Sequence, residues 1–304
     1  MDHGPWTMDY SSSSSFKTLK MKTLIYVFAV IAFFASTDTF AQEYKIPVEN
    51  SKDGKLSLED FMGDLPIEGY DGKEIIISPT SSEEGNEASE PDRAKGLKPI
   101  YSRGTDNTGI GLRVEKNGNQ ITVTCLMPIT KQREYKVKVP NNFSLKIGSG
   151  CERSNNISIR NIKGEIEIKN CQSIKLSNVT GSLIISTISG NVELEKCALD
   201  KDATISIAAI SGNINAVLTD FSTKGPISFN SISGEVDITL PAKTAVNLDM
   251  KTISGSIYSD FEFSNEEKKM KQIGGTKIEY NLNGGGAELN LKTISGNIYL
   301  RKGK

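Results

Sequence analysis

Short runs of alternating apolar and polar residues fill this chain, and a glycine interrupts them at recurring distances. With the glycine of each Ile-Ser-Gly-like tripeptide as origin, apolar residues fall seven, five and two positions before it and two after it. Gly212 has Ile205, Ile207, Ile210 and Ile214 at those places, and Gly234 has Ile227, Phe229, Ile232 and Val236. The same frame fits Gly63, Gly164, Gly181, Gly190, Gly255 and Gly296. With 37% of residues hydrophobic, four apolar hits coincide by chance in about 2% of frames, so the matches are a true repeat.

A spacing of two between apolar residues, as at Ile205 and Ile207 or Val236 and Ile238, puts alternate side chains on one face of a strand. The residues between them, such as Ser206, Asp249, Glu193 and Asn215, are polar, so one face is buried and the other wet. Each glycine is expected at a corner between two strands, supplying a positive φ. From Gly190 the origins continue at 212, 234, 255 and 296, with Ile273-Gly274-Gly275 as a degraded copy in the one long gap. That predicts an all-β, right-handed parallel β-helix-like solenoid of about 21–22 residues per coil, stacked in sequence order. The steps from Gly164 to Gly181 and from Gly181 to Gly190 break the period, which suggests a different corner for Gly181.

The rest of the chain divides around this repeat. Residues 42–140 read as a β-rich segment capping the solenoid domain of 141–304. The segment holds the Gly63 copy, a β-like run at Glu74–Ser78 and a hairpin through Asn117-Gly118. The strand Tyr135–Val139 follows, before Pro140. Residues 79–96 are polar and read as a disordered loop, and the charged stretch Ser264–Lys271 reads as a loop or one helical turn leaving the solenoid. Residues 1–41 read as a leader with a cleaved signal peptide. Met21-Lys22 is a basic start, and therefore a second candidate for the true first residue. Leu24–Ala35 is an apolar run too short to span a membrane, and cleavage would fall after Ala41.

Cleavage removes three basic and three acidic residues from totals of 36 and 37, which leaves a near-neutral chain without the field that draws nucleic acid or anionic lipid. It also removes His3, the only histidine, and with it Ser-His-Asp and Cys-His chemistry. No Cys-x-x-Cys spacing exists, so no metal or other cofactor is expected. Cys171 and Cys197 each lie seven residues after a frame glycine. On neighbouring coils their Cα atoms would be about 4.8 Å apart, close enough for a disulfide. Two stacked, reduced thiols are the alternative; Cys125 and Cys151 are a second possible pair, and four cysteines allow three connectivities.

The copies ISTISGNVEL, IAAISGNINA and KTISGNIYL, behind an export signal, make the chain resemble a bacterial family of unknown function labelled putative adhesins. The stretch from Gly285-Gly286-Ala287 through Gly296 is similar to that family's usual C-terminal coil. The resemblance implies a β-solenoid at the cell envelope or surface and no catalytic residues.

The function expected from these features is non-catalytic: a rigid rod whose side-chain ladders bind glycans or protein strands. Tyr258 and Tyr299, each three residues after its glycine, are expected to face outward. With one coil between them they would be about 10 Å apart and could stack on alternate sugars. A polysaccharide lyase or hydrolase using outward carboxylates at Glu167, Glu193 and Asp237 is a second reading, and a passive envelope spacer a third. The sequence leaves the oligomeric state open.

Overall fold

The computed structural model describes residues 43–80, 100–130, 133–148, 150–153, 155–263 and 275–303, with a few isolated positions. The chain divides into units 1–40 and 41–304, and every described strand belongs to the second. The expected signal peptide and most of both expected loops lie outside the described residues.

Strands β1 (Tyr44–Pro47), β2 (Lys55–Glu59), β3 (Leu65–Tyr70) and β4 (Glu74–Pro79) open the unit. A small hairpin, β5 (Ile100–Tyr101) and β6 (Gly104–Thr105), precedes β7 (Leu112–Asn117), β8 (Gln120–Cys125) and β9 (Tyr135–Pro140). Regular winding then begins with β10 (Ser144–Gly148), β11 (Ile157–Arg160), β12 (Ile166–Asn170), β13 (Ile174–Ser177), β14 (Leu183–Thr187) and β15 (Val192–Leu199). It continues through β16 (Ile205–Ala209), β17 (Ile214–Phe221), β18 (Ile227–Ser231), β19 (Val236–Pro241), β20 (Val246–Ser254) and β21 (Ile257–Ser259). The last strands are β22 (Thr276–Leu282), β23 (Ala287–Ser295) and β24 (Ile298–Gly303).

These strands form an all-β solenoid of two facing 11-stranded sheets, each coil giving one strand to each. The first sheet runs β1-β4-β9-β3-β11-β13-β15-β17-β19-β24-β21, the second β22-β20-β23-β18-β16-β14-β12-β10-β2-β8-β7. Neighbouring coils pair in parallel, and the antiparallel pairs involve β1, β4, β7 and β22 at the rod ends together with the β5–β6 hairpin. Between the sheets lie the residues seven and five before and two after each glycine. Ile205, Ile207 and Ile214 are essentially inaccessible, and each contributes on the order of 1.5–3 kcal/mol by burial.

The coils do not stack in sequence order. The coil of β23 and β24 slots between β18–β19 and β20–β21, and β20 and β21 are pushed outward by one strand position. The expected degraded copy before β22 forms no coil strand among the described residues; β22 itself runs antiparallel along β20. The opening of the chain mirrors this. The coil of β2 and β3 lies between β8–β9 and β10–β11, so residue 140 marks no break in packing.

The corners correct the expectation about glycine. Gly164 and Gly181 lead into the second sheet, whereas Gly63, Gly190, Gly212, Gly234, Gly255 and Gly296 lead into the first. Only Gly63 and Gly181 have positive φ. At Gly63, Gly164 and Gly181 the residue three before the glycine, Asp60, Asn161 or Asn178, is left-handed, a conformation that Asn and Asp tolerate. In the remaining copies glycine answers to close stacking: a Cβ on Gly212 would lie under 3.0 Å from the Gly190 carbonyl, and one on Gly234 would meet Gly212 likewise.

The two corner types orient the residue two before the glycine differently. Phe61, Ile162 and Val179, after the left-handed residues, are buried. Ile188, Ile210, Ile232, Ile253 and Ile294 instead point outward, 43–49% exposed, although they hold apolar positions of the frame. In these copies the preceding residue turns inward. Ser231 Oγ donates to the Gly212 carbonyl (3.0 Å), Thr293 Oγ1 to Gly234 (2.9 Å) and Thr252 Oγ1 to Gly296 (2.9 Å). Side-chain oxygens beyond the glycine add a second column: Asn191 Oδ1 accepts from Asn213 N, and Asn213 Oδ1 from Glu235 N, both at 2.9 Å.

The Cys171–Cys197 bridge is not formed. Cys171 pairs with Cys151, with Cα atoms 5.3 Å apart, and Cys125 and Cys197 are buried thiols. The reason is the change of corner: seven residues after Gly164 the chain is leaving second-sheet β12, whereas seven after Gly190 it is within first-sheet β15.

Candidate functional site

The outer face of the first sheet carries one unbroken row of side chains. In parallel register, Pro66 neighbours Ser158, followed by Lys175, Glu193 and Asn215. The row then passes through Asp237 to Tyr299 and Tyr258. At about 4.8 Å per strand it is roughly 34 Å long. It faces outward because it occupies the polar positions of the alternation whose apolar positions build the core.

At one end the small side chains Pro66 and Ser158 sit between longer neighbours and leave a trough of two adjoining depressions, about 400 and 350 Å³, sharing Lys175 as a wall. Asp64, Asn156, Ser173 and Asn191 line one depression; Lys136, Glu68 and Arg160 line the other. Two of its cations are paired. Lys175 Nζ is 2.7 Å from Glu195 and 3.4 Å from Glu193, and Arg160 is 3.0 Å from Glu68. The hydrogen bond from Arg160 holds the Glu68 carboxyl below its ordinary range, and the bond to Glu195 raises the Lys175 ammonium. The trough thus presents fixed charges of both signs with hydroxyl and amide groups between them.

At the other end Tyr258 and Tyr299 occupy adjacent strands with no coil between them. Their rings stack at 5.2 Å, 11° from parallel, so the expected spacing of about 10 Å for alternate sugars does not exist. The insertion of β24 beside β21 causes this. Tyr299 is fastened: its hydroxyl lies 3.2 Å from Glu235 Oε1 and accepts from Asn297 Nδ2 at 3.0 Å, and Arg301 lies 5.4 Å from its ring centre. Tyr258, 52% exposed, offers the accessible aromatic surface.

The three carboxylates of the hydrolytic reading do not converge. Glu167 is on the second sheet beside Lys146, at 3.5 Å. Glu193 pairs with Lys175, and Asp237 is gripped by Arg301 through two bonds of 2.7 Å. Among the described residues no three metal-ligating side chains come together.

Sequence reasoning missed the trough, because its depth depends on which small residues become neighbours across coils. It also missed the inward hydroxyls, although Thr or Ser three before the glycine in four of the five later copies was a readable signal.

The Toastrack DUF4097 family model matches residues 103–301. Among solved structures, a putative cell adhesion protein from Clostridium sporogenes ATCC 15579 is 14% identical and aligns over 86% of this chain and 99% of its own, with a TM-score of 0.34. A putative adhesin from Bacteroides fragilis NCTC 9343 is 12% identical over 86% of this chain and 95% of its own, with a TM-score of 0.26. No curated protein matches the chain.

Proposed function

This chain belongs to the Toastrack DUF4097 family, and from that premise we propose that it is a non-catalytic binding module of the bacterial envelope or surface whose first sheet receives an extended glycan. The observation that carries this reading is the continuous row from the Pro66–Ser158 trough to Tyr258. A sugar chain needs hydroxyl-bonding groups at regular intervals and an aromatic face at one of them. The trough supplies the first through Ser158, Ser173, Asn156 and Asn191, and Tyr258 supplies the second. Pairing of Lys175 and Arg160 with carboxylates keeps the face near neutral, which suits uncharged sugars better than polyanions. Export is supported by the Leu24–Ala35 run and by the Cys151–Cys171 bridge, which belongs to oxidising compartments.

The test is retention of residues 42–304 on glycan and protein arrays, repeated with Ser158→Trp, which fills the trough, and Tyr258→Ala. Each substitution should weaken retention at least about tenfold. Undiminished retention by both variants removes this face from the reading, and no retention of the parent on any glycan or protein favours the passive spacer.

A further inference from the structure

The outward isoleucines form a second surface, independent of the glycan face. Backbone bonds from Ser211 N to Ile188 O, Ser233 N to Ile210 O and Ser295 N to Ile232 O stack them in consecutive coils. The pairing of Ser254 with Ser295 adds the last coil. The order along the rod is Ile188, Ile210, Ile232, Ile294, Ile253, so one corner carries an apolar ridge five coils long, roughly 19 Å. At 43–49% exposure the ridge presents roughly 400 Å² of apolar surface, comparable to the largest patch on an ordinary monomer.

From this we infer that the ridge is a homodimer contact in which a second copy packs its own ridge, antiparallel, into the first. Three observations select that occupant. Isoleucines about 4.8 Å apart leave notches of the same pitch, and a ladder of equal pitch fills every notch at once, as identical side chains do in interdigitated β stacks. A second copy carries such a ladder. The flanks of the first coils are uncharged: Ser189, Ser211 and Ser233 on one side, Ser186, Ala208 and Asn230 on the other, the charge-poor composition of an interface centre. Lys292 and Lys251 flank only the last two coils. A parallel pair would gather the lysines of both copies at one end of the contact, on either side of the ridge. An antiparallel pair divides them between the two ends, against Ser186 and Ala208, and like most soluble dimers it is two-fold symmetric. Two ridges bury roughly 800 Å², and the flanking polar columns carry the contact to the roughly 1,000 Å² of a specific, weakly associating interface.

The experiment is sedimentation equilibrium of the full chain across about 10–1,000 µM, the range of a contact this small, with Ile210→Lys and Ile232→Lys combined and Val217→Lys as control. Val217 is an exposed residue on the first sheet, away from the ridge. The parent and the control should dimerise and the double variant should associate at least about tenfold more weakly. Unchanged circular dichroism of the double variant separates loss of contact from loss of fold. Orientation is read by maleimide crosslinking, to which buried Cys125 and Cys197 are closed. Ser233→Cys, at the middle coil, should link to its own copy, and Ser189→Cys should link to Ser254→Cys rather than to itself. A parent that stays monomeric, dimerisation indifferent to the lysines, or self-linkage of Ser189→Cys overturns the inference. Binding of a monomeric parent to phosphatidylethanolamine–phosphatidylglycerol vesicles, lost in the double variant, overturns it too and gives the ridge to a lipid surface.

Discussion

Replacing Gly212 by alanine decides whether the corner glycines serve backbone freedom or close stacking. Gly212 is not among the residues with positive φ, so a purely conformational argument expects alanine to be harmless, or stabilising by about 0.4–1 kcal/mol through a less free unfolded chain. The packing says the opposite. The added Cβ would lie under 3.0 Å from the Gly190 carbonyl oxygen, and Gly212's own carbonyl accepts the Ser231 hydroxyl at 3.0 Å, so relieving one contact strains the next. Overpacking of this kind costs about 1–3 kcal/mol, a fall in Tm of roughly 2–12 °C for a unit of this size. Gly148 supplies the comparison, since it also lacks positive φ and a Cβ there would meet nothing within 4 Å. Gly148→Ala should therefore leave Tm unchanged or raise it. Thermal unfolding followed by circular dichroism distinguishes the two, and a Gly212→Ala protein at or above the parent Tm refutes the stacking argument.

Three further outcomes follow from the corrected cysteine pairing and from a buried carboxylate. Cys151→Ser opens a loop with a sequence separation of 20 and should cost about 3 kcal/mol. Cys197, whose thiol burial pushes up to about 11, should stay unreactive toward a thiol reagent until the chain unfolds. A disulfide-linked peptide joining Cys171 to Cys197 in a non-reducing digest would contradict the pairing. Burial raises the Asp106 carboxyl, but bonds from Thr108 N, Gly111 N, Thr108 Oγ1 and Gly109 N together bring it below its ordinary 3.8. A depressed carboxyl stabilises fully above its unfolded value and loses that contribution as pH falls through the folded one. Asp106→Asn should thus be about 1–3 kcal/mol less stable at pH 7, with the gap closing below about pH 4. A gap that stays constant with pH in denaturant titrations would exclude the carboxylate as its source.

The two-sheet winding was legible because alternation at spacing two is written into every coil, from Ile205 and Ile207 to Leu289 and Leu291. The partners of each strand were less so. Any copy of the repeat presents nearly the same apolar stripe, and nothing in the pattern of β23 says that it prefers the gap between β18 and β20 to the outer side of β20. The face of Ile210 was not legible because a frame of apolar positions does not reveal where the backbone bends. The sign lay one residue earlier, where Asn161 and Asn178 permit a left-handed turn and Ala209 or Ser231 does not. Tyr258 and Tyr299 share one face because their common distance from the glycine fixes parity, and they lie on adjacent strands rather than about 10 Å apart because coil order fixes distance.

The out-of-order placement of both terminal coils bears on how the molecule comes into being. A repeat rod of ordinary connectivity can zip up behind the advancing chain and fray from either tip. Here Asn156 reaches Asp64 across 92 residues and Asn297 reaches Glu235 across 62. The coils of β2–β3 and β23–β24 are therefore keyed from within, like a tenon driven between boards already laid. Assembly must wait until the last seventeen or so residues arrive, a topological delay that slows closure. Once that wedge is home, β24 lies between two neighbours and is not an end from which unravelling can start.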